Sequence, residues 1–241
     1  MSLQFSDTTN RRGIIELIDD ILGTDSTQYS TAKKTRDINL ALDEVMAMIF
    51  EVGGTWQYDD SNHTDYPIIT TNIVSGQRDY PFTVDGTSNL ILDVYRVLVA
   101  DSNGDFRDIT PVDVSSGDAS PNFTDGSNTT GLPNAYDKLG NSIFLDPIPD
   151  YNYTNGLKVY INRESSYFTT TDTTKKPGFA GIFHEYLALL PAYKYARDNS
   201  MAIANSLKND VLEMQNRIKD YYKKRERDVR KKIIPRVNNA H

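Results

Sequence analysis

The sequence predicts an α+β fold: a small helical bundle with an inserted antiparallel β domain, a long C-terminal helix and a basic tail. Two observations carry this prediction. Apolar residues recur at helical spacing near both chain ends, and the middle consists of short runs rich in Val, Ile, Thr and aromatics. The implied divisions are N-terminal helices over residues 1–54, a β domain over 55–176, and C-terminal helices with the tail over 177–241. The two helical parts are expected to pack together.

In RRGIIELIDDILG, Ile14, Ile15, Leu17, Ile18, Ile21 and Leu22 fall on one face of a helix. Asn10 is the candidate cap and Gly23 the stop. The stretch STAKKTRDINLALDEVMAMIFEVGG forms a second helix, with Ile38, Ala41, Leu42, Val45, Met46 and Ile49 as its stripe and Gly53-Gly54 as its end. Its methionines read as core filler.

Past Trp56 the runs PIITTNIV, QRDYPFTV, LILDVYRVLVA and FRDIT read as strands, followed by NAYDKL, NSIFL and GLKVYINR. Asn103-Gly104 marks a hairpin turn. Residues 115–131 carry almost nothing apolar and read as a long exposed loop, mobile or ordered by contact. A second hairpin is expected between IFL and LKVYI, its turn stiffened by Pro147 and Pro149. Asp146 and Asp150 beside those prolines read as turn-formers rather than paired catalytic carboxylates.

From Pro177 the chain is helical again, with Ile182, Phe183, Tyr186, Leu187, Leu190 and Tyr193 on an apolar face that Pro191 interrupts. His184 reads as a half-buried packing residue. A longer helix follows, with a narrow stripe of Leu207, Val211, Met214, Ile218 and Tyr221.

Charge is distributed unevenly. From Ile182 onward 13 Lys and Arg face 7 Asp and Glu, whereas the preceding 181 residues carry 13 against 26. Such a split points to two surfaces with different partners, and a domain built to bind nucleic acid would be basic throughout. The chain has no cysteine, which fits synthesis in a reducing cytoplasm, and no apolar run long enough to span a bilayer. No membrane partner is expected.

The three histidines lack metal-site spacing, and no nucleophile elbow, P-loop or dinucleotide fingerprint occurs. The run Asp101-Ser102-Asn103-Gly104-Asp105 starts like a calcium loop, but Phe106 and Val112 stand where Gly and Glu are needed. The reading is therefore a non-enzyme, with no catalytic residue, metal or cofactor.

The order of short motifs adds a resemblance. Gly53-Gly54-Thr55-Trp56-Gln57-Tyr58-Asp59-Asp60 precedes Thr71-Asn72-Ile73-Val74-Ser75-Gly76-Gln77-Arg78-Asp79-Tyr80, then Tyr95-Arg96-Val97-Leu98-Val99. Leu132-Pro133-Asn134-Ala135-Tyr136 and Phe144-Leu145-Asp146-Pro147-Ile148-Pro149-Asp150 follow. This series resembles the head-to-tail adaptor (connector) proteins of tailed bacteriophages, in which "GQ-x-x-Y" enters a strand and "G-x-x-I-x-L-x-P-x-P" precedes the last helices.

The resemblance implies a structural virion protein of the neck, made in the host cytoplasm. Its implied partners are a portal protein, a downstream neck or tail protein, and copies of itself in a cyclic, twelvefold ring. DNA would pass through the channel without specific binding. On this reading Asp19, Asp20, Asp43 and Glu44 are lumen-facing candidates whose charge repels phosphate.

The tail is the candidate portal-docking segment: Lys223, Lys224, Arg225, Arg227, Arg230, Lys231, Lys232 and Arg236 surround the apolar anchor Ile233-Ile234-Pro235. It is expected to be loose before it docks. The alternative is a non-enzymatic carbohydrate- or nucleic-acid-binding module, left open by the many tyrosines, the sheet and the basic tail.

Overall fold

The computed structural model describes residues 2–53, 68–83, 90–113 and 129–225. It is an α+β protein. Helix α1 spans Ile14–Leu22 and α2 Thr31–Gly53. Among the described residues eight strands follow: β1 Ile68–Ile73, β2 Asp79–Pro81, β3 Ile91–Ala100, β4 Phe106–Asp108, β5 Thr110–Pro111, β6 Ala135–Leu139, β7 Ser142–Asp146 and β8 Tyr153–Arg163. A 3-10 turn, Gly181–Phe183, leads into α3 at Tyr186–Asp198, and α4 occupies Ala204–Arg225.

The helical core draws on both ends of the chain. Ile14, Ile15, Ile18 and Leu22 of α1 meet Ile38, Leu42, Val45 and Ile49 of α2, together with Tyr186, Leu187, Leu190 and the inner face of α4. Gly23 ends α1 in the left-handed region (φ 65°), its N–H bonded to the Asp19 carbonyl. The N-terminus departs from expectation, because Gly13 occupies the cap position and Asn10 makes no cap bond. Asn10 sits instead in a turn closed by the Asp7 carboxylate. Glu16 reaches back to accept from the Ser6 hydroxyl at 2.6 Å and the Asp7 N–H at 3.0 Å.

Three other positions differ from the sequence reading. Met48 is buried where Met46 was expected, with Met46 packed at the margin. Ile182 lies in the 3-10 turn before α3 and is 57% exposed. The α4 stripe ends on the fully buried Tyr222, because a 3.6-residue period drifts past Tyr221 after four turns.

Residues 2–6 form an arm that closes the bundle. The Phe5 N–H bonds the Lys175 carbonyl and the Ser6 N–H bonds the Thr173 carbonyl, while the Phe5 ring stacks on Phe168 at 5.0 Å. His184 is fully buried rather than half-buried. Its Nδ1 accepts the Leu3 N–H at 3.1 Å and its Nε2 lies 3.0 Å from the Phe179 carbonyl. Nδ1 also lies 3.1 Å from the Leu3 carbonyl, so both ring nitrogens face backbone groups. The helical core also claims residues just past β8. Asn39 brackets Phe168 with two hydrogen bonds of 2.9 Å, and Tyr167 donates to Asp43.

The β region contains two sheets rather than one. The first runs β1-β8-β3-β4, antiparallel throughout; the second runs β2-β7-β6-β5, with β5 and β6 parallel. Val94, Val97, Val99, Leu157, Val159 and Ile161 from the first share a core with Tyr80, Tyr136, Ile143 and Leu145 from the second. The alternation of each strand supplies one buried face to that core.

The expected β7–β8 hairpin does not form. Its two strands lie in different sheets, and Pro147 and Pro149 sit in the crossover between them. The Asp146–Pro147 peptide is cis. Between the prolines, Ile148 bonds the Thr129 carbonyl and the Gly131 N–H, and the Pro149 carbonyl accepts from Gly76. Two residues without N–H groups thus cross while Ile148 between them keeps both its N–H and its carbonyl paired. Asp146 ends β7 as a buried residue 3.8 Å from Arg78, and burial raises its pKa above the usual carboxylate value.

The Asn103-Gly104 turn joins β3 to β4 as expected, with Gly104 at φ 93°. Asp101 Oδ1 accepts the N–H groups of Asn103 (2.8 Å) and Asp105 (3.1 Å), an Asx-type turn rather than a calcium loop. The backbone bonds from Asp105 and Asn103 hold its carboxyl below the usual range. With the folded pKa depressed, its stabilisation is present above the ordinary carboxylate pKa and is lost as pH falls through the folded value. We expect Asp101→Ala to lower Tm at about pH 7 and to leave Tm less sensitive to acid than in the parent, as read by melts down to about pH 2.

Candidate functional site

The residues that the sequence singles out fall in separate places. Asp19 accepts from the Nζ of Lys34, a side chain with no exposed surface, at 2.6 Å, and from the Thr24 hydroxyl at 3.1 Å. Asp20 pairs with Arg11 on the outside of α1. Asp43 accepts from Tyr167 at 2.8 Å. Glu44 accepts from Tyr186 and from Lys194, each at 3.1 Å. Each carboxylate ties its helix to a different segment, and no partner is shared. Burial raises the phenols of Tyr167 and Tyr186 well above their ordinary range.

Of the proposed docking segment, Lys223 and Lys224 are exposed at the end of α4, and Arg225 is its last residue. Arg227, Arg230, Lys231, Lys232, Ile233, Ile234, Pro235 and Arg236 lie outside the described residues. Most of the long polar loop does too. Its described end, Thr129–Gly131, is held against Ile148.

Two surfaces emerge that the sequence reading did not single out. The first is the outer face of the first sheet. Register places Arg96 opposite Tyr160, Leu98 opposite Lys158 and Asp108, and Ala100 opposite Phe106. The Arg96 guanidinium lies 5.3 Å from the Tyr160 ring centre and makes a two-pronged bond to Asp108. Lys158 Nζ lies 3.8 Å over the Phe106 ring. Cations held on aromatic faces make a rigid, amphipathic contact surface. The alternation LILDVYRVLVA could have indicated which residues share that face, but not their partners on β8.

The second surface is an apolar notch of roughly 250 Å³ in the helical bundle, lined by Leu3, Leu17, Gly181 and Ile182 and rimmed by Arg11 and Glu185. It exists because the N-terminal arm, α1 and the 3-10 turn converge there. No local sequence pattern announces it.

Among the described residues no group of three or more His, Cys, Asp or Glu side chains could hold a metal ion, and no helix is long and apolar enough to cross a membrane. No family model matches the chain, and no curated protein matches it.

The Lys34–Asp19 pair yields a test of what Asp19 is for. Removing one member of a buried pair strands the other, at a cost of about 3–5 kcal/mol when that other is fully buried. Asp19→Ala strands the wholly buried Lys34 ammonium, whereas Lys34→Met leaves a carboxylate that keeps solvent contact and the Thr24 hydroxyl. Asp19 keeps some solvent contact, so we expect Asp19→Ala to cost about 3 kcal/mol and Lys34→Met under about 1 kcal/mol in urea unfolding. Equal, small effects would return Asp19 to the list of residues available for a lumen.

Proposed function

We propose that the protein is a head–tail connector (adaptor) of a tailed bacteriophage neck. On this reading it forms a ring on the portal, extends the DNA channel and presents a surface to a neck or tail protein. The observation that carries the reading is the arrangement of the chain. Both ends build one helical bundle, a two-sheet unit is inserted between them, and the bundle ends in a long helix whose last residues are basic. A ring subunit needs a body that holds its contact surfaces at a fixed angle, since small angular errors prevent closure. The hydrogen-bonded crossover through Pro147 and Pro149 and the closed N-terminal arm both supply that kind of stiffness.

The basic tail fits docking on an acidic portal surface, with charges steering and Ile233-Ile234-Pro235 anchoring. We expect the full chain to join a purified portal ring in light-scattering chromatography. Deleting residues 226–241 should weaken that association at least about tenfold while the helical circular dichroism of the body is kept. A folded truncation with unchanged affinity would remove the tail from the docking role. A chain that ignores the portal but is retained by an oligosaccharide or single-stranded oligonucleotide would favour the second reading. For that reading the aromatic and cationic face around Tyr160 and Phe106 is the specific support.

The acidic body bears on the channel. Residues before Ile182 carry twice as many acidic as basic groups, 26 against 13, and such a lumen would let DNA slide rather than stick. The tail-less protein is expected to show no measurable binding to duplex DNA at low salt. Tight, steeply salt-dependent binding would rule out a repelling lumen.

A further inference from the structure

We infer that β1 is a pairing edge, and that in the free protein it takes the β1 of a second copy, antiparallel, across a twofold axis at Thr70. The inference goes beyond the connector reading and does not rest on it. A cyclic ring contains no such axis, so the pair is a form of the chain before any ring is built.

Each sheet has two edges, and three of the four are blunted. β2 has 3 residues and ends on Pro81, and β5 has 2 and ends on Pro111. β4 has 3, of which Arg107 and Asp108 are charged and already paired with Asp101 and Arg96. Shortness, proline and charge are the devices that stop a sheet edge from adding a strand. β1 has none of them. Its 6 residues, IITTNI, are β-branched but for Asn72, and none is charged. Among the described residues β8 lies on one side of it and no strand on the other. Its one irregularity, a bulge, falls after Thr71 and leaves residues 68–71 paired one-to-one with residues 157–160.

Charge bears on the choice of occupant. Residues before Ile182 carry 26 acidic against 13 basic groups, so two copies repel each other over most approaches. An uncharged strand is a place where that repulsion is absent. The charge nearest in register is Lys158, opposite Thr70. Across the seam the order is Lys158, Thr70, then Thr70 and Lys158 of the second copy. Three strand spacings of about 4.8 Å put the two lysine backbones about 14 Å apart, beyond the screening length of about 8 Å at physiological salt.

The faces match as well. An axis at Thr70 sets this residue against its own copy and Ile69 against Thr71, so residues of like parity meet. Thr70 is exposed on the outer face, whereas Ile69 packs against the sheet core, which the pair continues across the seam. Cross-strand contacts between β-branched side chains stabilise such a seam. Two four-stranded sheets become one continuous sheet.

The chain has no cysteine, so a single introduced thiol reports one position. Thr70→Cys lies on the axis, where opposed Cα atoms are about 4.5–5.5 Å apart and a disulfide can close. Thr71→Cys is one step off the axis, roughly 8 Å from its own copy and too far to bridge. We expect mild oxidation to link Thr70→Cys at least about tenfold faster than Thr71→Cys. Without oxidant, the parent should sediment as a monomer–dimer equilibrium with a Kd of about 10–100 μM, in keeping with a contact one strand long. Thr70→Lys sets like charges in direct opposition at an exposed site, and should be monomeric at about 0.5 mM with circular dichroism unchanged. Should that variant prove less stable, the cysteine comparison decides alone. A parent still monomeric at about 0.5 mM would overturn the pairing, as would equal linking at the two cysteine positions. A dimer that survives Thr70→Lys, or a closed oligomer larger than two in the free chain, would overturn it too. No portal protein enters the experiment, so its failure stands apart from failure of the connector reading.

Discussion

The fold depends on bringing the two ends of the chain onto one apolar core, and a single buried imidazole holds that junction. His184 takes a backbone N–H from Leu3 on one side and faces the Phe179 carbonyl on the other. Both groups lie where water cannot replace the ring, so losing it leaves a buried donor and acceptor without partners. Around it, Phe5 stacks on Phe168 and the arm makes backbone bonds to Thr173 and Lys175. Everything between residue 53 and residue 165 is an excursion from this closed body.

The excursion has its own core, and that independence shapes what each part can do. The two sheets bury Val, Ile and Leu from one face each and leave the other face to solvent. Arg96, Lys158, Tyr160 and Phe106 can therefore form an outward surface without disturbing the interior. In the helical body the charged residues of α1 and α2 are mostly spent on internal ties, of which Lys34–Asp19 is the deepest. A burial of that kind is tolerated because the ammonium has its carboxylate and lies within reach of the Tyr29 ring. The same carboxylates that look like a lumen in the sequence are thus fasteners in the structure, and those near the surface have to serve both purposes if they serve a channel.

Much of this was legible in the sequence, and the gaps have physical reasons. Each described strand overlaps a run that reads as a strand, and Gly23 and Asn103-Gly104 end or turn the chain where expected. What period and propensity do not encode is partnership. The strands IFL and LKVYI look like a hairpin because they are adjacent, yet Ile143 pairs with Tyr80 and Lys138 whereas Val159 pairs with Ile69 and Val97. The N-terminal arm was missed because Leu3 and Phe5 carry no periodic signal, and their partners lie far along the chain. The notch was missed for the same reason, since three separate segments supply its walls.

The contact between Leu3 and His184 spans 181 positions, and it sets an order of events during synthesis. A ribosome releases the N-terminal arm and the first two helices long before their counterparts exist. Their apolar stripes must wait, exposed or loosely collapsed, while the inserted sheets, whose apolar core is drawn from residues 69 to 161, can close. Only when α3 has emerged can the arm be captured, and only after α4 follows is the bundle complete. A nascent chain stalled before that point holds a finished sheet unit on an unfinished base, which makes the last sixty residues the step that converts a set of parts into a body.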